Sequence, residues 1–326
     1  MTASMTAALR EGLVVQSDAK VVHVELEPVG GEPQRVIQAV PRGRLFEELG
    51  PVKNPLAVGD RVLVEASGQP PAVEQVLPRK NQLSKVASSH DPREQVLFAN
   101  VDEVFVINSF KTPGFSSNRT DRILAACSLC ELPASLVLNK VDLAEPDELA
   151  EIRGTYQRAG YTVLETSAKQ NLGLEALKAR MQGRTTVFYG ASGVGKSTLL
   201  NGLFGLALKV GKISSYWAAG KHTTTFSRAV RIDEHTVVID TPGIRVFRPY
   251  GLAKADLRFH YREFAAFTGR CRFQGCLHDH EPGCALAEAV EAGRLAPSRY
   301  LSYVELLDEI EAPPEDVETV GETGDE

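Results

Sequence analysis

Gly190-Ala191-Ser192-Gly193-Val194-Gly195-Lys196-Ser197-Thr198 fits the pattern G-x-x-x-x-G-K-[ST], and its flanks decide how it is read. Thr185–Tyr189 before it is a short apolar run of strand type, and Ser197–Phe204 after it opens a helix. Between a strand and a helix, the glycines let backbone N–H groups turn inward around phosphate oxygens. The helix N-terminus adds partial positive charge there. Lys196 is placed to reach the β- and γ-phosphates, and the Ser197 hydroxyl to ligate Mg²⁺. All nine residues from Gly190 to Thr198 are therefore candidate nucleotide-binding residues. The chain is expected to bind a nucleoside triphosphate.

Working outward, the base comes next. Asn139-Lys140-Val141-Asp142 follows the strand Ala134–Leu138, at the strand end where open α/β sheets bind ligands. An Asp there accepts from the ring N–H and exocyclic amine of guanine together, a donor pair that adenine lacks. The stem of Lys140 can cover the base plane. Ser167-Ala168-Lys169 also follows a strand and offers a backbone N–H to guanine O6. Beyond the loop, Asp240-Thr241-Pro242-Gly243 ends the strand Thr236–Ile239, where Asp240 would hold Mg²⁺ through water and the Gly243 N–H would meet the γ-phosphate. Lys221-His222-Thr223-Thr224-Thr225 lies between, in the place of a switch loop. Thr224 or Thr225 is expected to join Ser197 and Asp240 on Mg²⁺, and the pattern leaves open which one. Ile244 stands where many GTPases carry the Gln that orients the attacking water. His222 is the nearest residue able to replace it.

The order of these motifs is unusual. The guanine motif and Ser167–Lys169 precede the phosphate loop, and the switch threonines and Asp240–Gly243 come after it. A sheet keeps its arrangement if its old ends are joined and the chain is opened elsewhere, so the domain reads as circularly permuted.

The rest of the 326-residue chain divides by texture. Short strands with turn signals between them run from Gly12 to about Leu83, with a hairpin around Gly30-Gly31-Glu32-Pro33. Five such strands suit an OB-fold barrel. Arg42, Arg44, Arg79, Lys80 and Lys85 make RNA its candidate partner. Strands and helices alternate from about Gln95, implying a mostly parallel sheet with helices on both faces. Helices are expected at Leu252–Phe267, Cys284–Ala292 and Pro297–Glu309. Cys271-x4-Cys276-x-His278-x5-Cys284 offers three thiolates and an imidazole, a full tetrahedral set for one structural Zn²⁺, with His280 as a rival fourth ligand. Cys127-x-x-Cys130, inside an apolar helix, is read as core.

Composition fits a soluble chain, 43% hydrophobic and 24% charged. The start has no signal-peptide pattern and no apolar run approaches a membrane span, so a cytoplasmic protein without a membrane partner is expected. The net charge of −6 is uneven. Ten acidic residues and no Lys or Arg follow Leu301, which leaves 36 basic against 32 acidic residues before it. That mildly basic body is compatible with nucleic acid.

With barrel, permuted motifs and Cys3His cluster assembled, the chain resembles the ribosome small-subunit-dependent GTPase A family, the YjeQ-type circularly permuted GTPases of bacteria. The resemblance spans about residues 12–310. It rests on Asn139–Asp142, Ser167–Lys169, Gly190–Thr198, Gly220–Thr225, Asp240–Gly243 and the four zinc ligands, and Pro78-Arg79-Lys80 also matches. It implies a multidomain α/β protein with a flexible N-terminus (1–11), an OB-fold RNA-binding barrel (12–90) and a circularly permuted P-loop GTPase domain (91–248). A helical zinc-binding domain (249–311) completes what the family accounts for; the Pro-containing acidic tail (312–326) is a departure from it and is read from its composition as disordered. The resemblance also implies a GTPase that binds the 30S subunit on 16S rRNA late in its maturation, with GTP hydrolysis stimulated by the subunit and coupled to release; a monomer is expected because the sequence shows no self-complementary surface. By this resemblance His222 is the catalytic histidine, beside Lys196, Thr224 and Thr225. The competing reading is a nucleotide-gated RNA-binding module in which GTP binding does the work. Intact Lys196, Ser197 and Asp240 favour the hydrolase and Ile244 keeps the second reading open; His222→Ala separates the two, since only the hydrolase then loses release while keeping docking.

Overall fold

The computed structural model describes residues 9–18, 20–48, 50–88, 90–205, 227–241 and 247–311. Strands β1 (Arg10–Ser17), β2 (Val22–Leu26), β3 (Arg35–Pro41), β4 (Arg61–Glu65) and β5 (Ala72–Val76) pair in the cyclic order β1-β2-β3-β5-β4-β1. Closure leaves none of the five with a free edge along its whole length, and it is the pairing of an OB-fold barrel. Alternation aims Val14, Val24, Leu26, Val62, Val64 and Val73 inward, and Leu45 of the short helix α1 (Arg44–Glu48) plugs the same core.

The turn Gly59-Asp60 fixes the barrel to the segment after it. Asp60 is fully buried and accepts from Arg79 Nε at 2.7 Å, Arg79 Nη2 at 2.8 Å and the Ala57 N–H at 2.8 Å. Gly59 has φ +93°, and a Cβ there would lie 2.1 Å from the Ala99 carbonyl oxygen, so only glycine fits. Ala99 ends a hairpin of β6 (Gln82–Ser88) and β7 (Asp91–Ala99), which the sequence texture does not reveal. Its inward residues Leu83 and Phe98 join the core of the sheet body, not that of the barrel.

That body comprises β8 (Glu103–Ser109), α2 (Ser117–Leu129), β9 (Ala134–Asn139), α3 (Pro146–Arg158), β10 (Val163–Thr166), α4 (Leu174–Met181), β11 (Thr185–Tyr189), α5 (Lys196–Phe204), β12 (Arg228–Arg231) and β13 (Val237–Asp240). The strand order is β10-β9-β8-β11-β13-β12. All neighbours from β10 to β13 pair in parallel, and β12 pairs antiparallel to β13. Helices cover both faces, so β8 is apolar on each: Val104 and Val106 face α2 and α3, while Phe105 and Ile107 face α4 and α5. Beyond β12 the sheet runs on into the barrel, with Gln16 opposite Arg228 and Arg231 Nε 2.7 Å from Glu25 across the joint.

The C-terminal part packs around Leu257, Tyr261, Phe264, Leu286, Tyr303 and Leu306, with helices α6 (Ala285–Glu291) and α7 (Pro297–Glu311). The helix expected over Leu252–Phe267 is not formed. Two 3₁₀ turns, Leu257–His260 and Arg262–Phe267, stand in its place, broken at Tyr261 with φ −103° and ψ 99°. Tyr261, Phe264 and Phe267 are spaced by three residues, and three residues per turn puts all of them on the core side.

Arg299 of α7 joins this part to the sheet body. Its side chain is 2% exposed, paired with Asp121 of α2 and, at 2.6 Å, with Glu263. The guanidinium lies 4.6 Å from the Tyr261 ring centroid and 5.4 Å from that of Tyr156, and the Tyr156 hydroxyl donates to Asp121 at 2.7 Å. Burial pushes the Asp121 carboxyl up to about 6 against the pull of Arg299. Arg299→Ala strands two carboxylates in the interior, and we expect it to cost about 3–5 kcal/mol. The loss should appear as an earlier urea midpoint, with little recovery by Arg299→Lys because an ammonium lacks the fork. An unchanged midpoint would show that the two parts do not depend on this cluster.

Candidate functional site

Parallel pairing of β10, β9, β8, β11 and β13 brings their C-terminal ends to one edge of the sheet. Asn139 ends β9, Ser167 follows β10, Gly190 follows β11 and Asp240 ends β13. Residues scattered over a hundred positions thus meet. Asn139, 1% exposed, holds them together: its Nδ2 donates to the Val194 carbonyl at 2.8 Å and its Oδ1 accepts from the Thr166 hydroxyl at 3.1 Å.

The loop from Gly190 to Gly195 is tight for specific reasons. A Cβ on Gly190 would lie 2.4 Å from the Ile107 carbonyl oxygen, and one on Gly195 would lie 2.4 Å from Asn139 Nδ2. Gly193 and Gly195 adopt φ +87° and +100°, which turns successive N–H groups toward one side as α5 begins. Val194 anchors the loop in the core, whereas Ser192 is exposed and Ser197 and Thr198 half-buried on the first turn. Lys196 Nζ donates back to the Gly190 and Ala191 carbonyls at 2.8 and 3.3 Å. Burial holds its pKa below the ordinary lysine value, opposed by Asp240.

On the base side, Lys140 sits at φ +59° and donates from Nζ to Gly193 O at 2.7 Å and Thr112 O at 3.0 Å, so its stem bridges from β9 to the loop. Asp142 lies in a 3₁₀ turn, Val141–Leu143, and accepts from the Ser167 hydroxyl at 2.6 Å. That bond fixes one carboxylate oxygen and orients the group. Ala168 and Lys169 occupy the turn that Ser167 closes with Leu172. Thr166 and Thr112 are site-building residues that lie outside the sequence motifs. Thr166 does so through its hydroxyl and Thr112 through its carbonyl, which any residue carries.

At β13, Asp240 Oδ1 is buried and has no hydrogen-bond partner among the described residues. Burial pushes this carboxyl up to about 6, with Lys196 pulling the other way. An orphaned buried oxygen facing a lysine and a phosphate loop fits a hydrated Mg²⁺ with Ser197 alongside. His222, Thr224, Thr225 and Gly243 lie outside the described residues.

The second cluster is in the C-terminal part. Cys271, Cys276, His278 and Cys284 place their ligand atoms within 4.8 Å of one another. His278 Nδ1 lies 3.5, 3.5 and 3.4 Å from the three sulfurs. Usual zinc bond lengths at a tetrahedral angle put nitrogen and sulfur about 3.6 Å apart, so the donors fit zinc in number, kind and spacing. His278 is buried and its carbonyl accepts from the Tyr300 hydroxyl at 2.9 Å, while the Ala285 N–H points at Cys271 Sγ at 3.3 Å. His280 is outside the set, its side chain 74% exposed beside Asp279. Cys127 is buried in the sheet-body core, where burial raises its thiol pKa.

A phosphate loop tied to a guanine motif that precedes it in the chain, on a sheet joined to an OB barrel and a Cys3His part, defines a circularly permuted P-loop GTPase. The family model described as RsgA GTPase matches residues 76–249. A small ribosomal subunit biogenesis GTPase RsgA of Chlorobaculum parvum is 39% identical over 270 residues, covering 79% of this chain and 86% of the relative. Its counterpart in Gemmatimonas aurantiaca is 37% identical over 315 residues, covering 95% and 99%. Among solved structures, YjeQ from Thermotoga maritima aligns with TM-score 0.67 and 32% identity over 93% of this chain and 99% of that one. YloQ, a circularly permuted GTPase, aligns at 0.63 and 26% over 95% and 98%. The chain belongs to the RsgA GTPase family.

Gly195→Ala forces the loop away from Asn139, and we expect GDP affinity, read by fluorescent-nucleotide titration, to fall by about two orders of magnitude with the fold retained. Elemental analysis should find one zinc per chain, and Cys284→Ala should lose it together with the cooperative unfolding of the C-terminal part. Full affinity in the first variant, or a zinc-free protein of unchanged stability, would contradict these assignments.

Proposed function

We propose that this chain is a GTP hydrolase that docks on the small ribosomal subunit through 16S rRNA late in its maturation, turns over GTP when the subunit is in place, and leaves on hydrolysis. The observation that carries this reading is the Asn139 side chain, which locks a guanine-reading strand end to a phosphate loop. Asp142, held by Ser167, is set to accept from guanine N1–H and the 2-amine, and the turn at Ser167–Lys169 supplies the O6 donor. The loop amides and Lys196 receive the phosphates. The ammonium exchanges its two carbonyl acceptors for β- and γ-phosphate oxygens.

Ser197, Asp240 and Thr224 or Thr225 would hold Mg²⁺, whose chemistry is to neutralise charge building on the β- and γ-oxygens. Gly243 would donate to the γ-phosphate, and His222 would orient the attacking water in place of the residue that Ile244 displaces. Cys271, Cys276, His278 and Cys284 would hold one structural Zn²⁺.

Three features support the ribosomal partner: the OB barrel, the mildly basic body before residue 301, and the relatives named for small-subunit biogenesis. The layout of barrel (12–90), GTPase domain (91–248), zinc part (249–311) and acidic tail belongs to the same proposal, as do a monomeric state and a cytoplasmic location. No helix among the described residues is long and apolar enough to cross a membrane.

The test is GTP turnover by the zinc-loaded protein alone and with purified 30S, 50S or 70S particles. We expect slow turnover alone and stimulation of about tenfold or more by 30S only. Indifference to 30S, or equal stimulation by 50S, would overturn the reading.

A further inference from the structure

We propose that Gly173 is a positioning residue for guanine recognition, an inference that rests on the guanine reading above. It holds the turn Ser167–Leu172 so that the Asp142 carboxylate and the backbone amides of the turn meet the base together.

The turn closes on itself. The Ser167 N–H donates to the Leu172 carbonyl at 3.1 Å, and the Leu172 N–H returns a bond to the Ser167 carbonyl at 3.0 Å. Inside it, the Gln170 N–H reaches the Ser167 carbonyl and hydroxyl oxygens, each at 3.2 Å. Ser167 is fully buried, and Ala168 packs against the core shared with α5. From this frame the Ser167 hydroxyl donates to Asp142 at 2.6 Å. The carboxylate that reads the base is thus only as well placed as the turn.

Gly173, the next residue, clamps the frame against β10. It sits at φ +68°, and a Cβ there would lie 1.9 Å from the Glu165 carbonyl oxygen and 3.4 Å from Thr166 Cγ2. Both contacts are with the strand end that leads into Ser167, so the chain leaves the turn against the residues by which it entered. On the far side Leu174, 5% exposed, packs with Leu199, Leu200 and Leu203 of α5. Gly173 also caps α4, with no side-chain bond. A cap that served the helix alone would favour Ser, Thr, Asp or Asn, whose side-chain oxygen takes an orphan N–H. The glycine is there for the close approach.

A side chain at 173 must therefore push the turn off β10. Thr166 stays behind, because its hydroxyl is held by Asn139 at 3.1 Å and Asn139 is held by the phosphate loop. The displacement falls on the base-reading groups, whose hydrogen bonds weaken steeply as distance and angle depart from their optimum.

The experiment measures the affinities of the full-length zinc-loaded protein for GDP, inosine diphosphate and 6-thioguanosine diphosphate, with the melting temperature of the free protein. Inosine diphosphate lacks the 2-amine that Asp142 reads, and the thio analogue carries a weaker acceptor at position 6. The parent should prefer GDP to both. In Gly173→Ala we expect GDP affinity to fall about tenfold or more and both preferences to shrink by at least about threefold, because a displaced turn has less to lose when a base group is removed. A purely structural glycine would instead lower stability and leave the two preferences as they were. One glycine inserted between Asn171 and Leu172 opens the same turn without a clash. It should shrink both preferences in the same direction, and it decides the matter if Gly173→Ala does not fold. Unchanged preferences in a folded variant would overturn the proposal while leaving the guanine reading in place. A parent that binds all three nucleotides alike would overturn the guanine reading, and this proposal with it.

Discussion

The side-chain amide of Asn139 is the bond on which the site depends. Its two ends join strand β10 and the phosphate loop to the end of β9, positions 166, 194 and 139 of the chain, inside a region with 1% exposure. An amide buried there must satisfy both its oxygen and its nitrogen, because an unpaired polar atom in that setting costs more than the bond contributes. The loop therefore settles against Asn139 or not at all, and Gly195 is glycine because the nitrogen stands where a Cβ would be. The guanine-motif strand end and the phosphate loop are thereby one hydrogen-bonded unit.

A unit of that kind makes chain order unimportant, since the pairing β10-β9-β8-β11-β13 sets which loops meet. What permutation changes is where the chain goes next. Placing Asp240-Thr241-Pro242-Gly243 after the other motifs sends the chain from β13 on to the Cys3His part, and Arg122 and Arg299 bolt that part to α2. At the other edge β12, the strand after the switch-loop stretch, is hydrogen-bonded to barrel strand β1. The barrel is thus attached to the strand next to β13, and the C-terminal part continues the chain that leaves β13.

Local turn chemistry made much of this legible. The phosphate loop, Asn139–Asp142 and the cysteine spacing all encode contacts within a few residues of themselves, and the five barrel strands show the alternation that a closed sheet requires. Pairing across long separations was not legible. Arg299 sits in an otherwise acidic helix and finds Asp121 at a separation of 178 residues, with nothing in its neighbourhood to announce it. The hairpin Gln82–Ala99 was not legible as a unit, because the end of the short-strand texture near Leu83 and the start of the alternating one near Gln95 both fall inside it. The two histidines, 278 and 280, satisfy the same ligand spacing, and only burial under Tyr303 and Phe264 tells them apart. Leu252–Phe267 read as helix because a three-residue apolar spacing lies within the helical repertoire, yet it suits 3₁₀ geometry better.

The most direct test of the account is nucleotide specificity in Asp142→Asn. Asn in that position presents an N–H where guanine's 2-amine also presents one, and it complements xanthine, which carries a carbonyl there. With Ser167, Asn139 and the phosphate loop untouched, the variant should lose GDP affinity by at least about a hundredfold and bind xanthosine diphosphate in its place. Retained GDP affinity with no gain for xanthosine diphosphate would mean that Asp142 does not read the base, and the guanine site built around Asn139 would have to be abandoned.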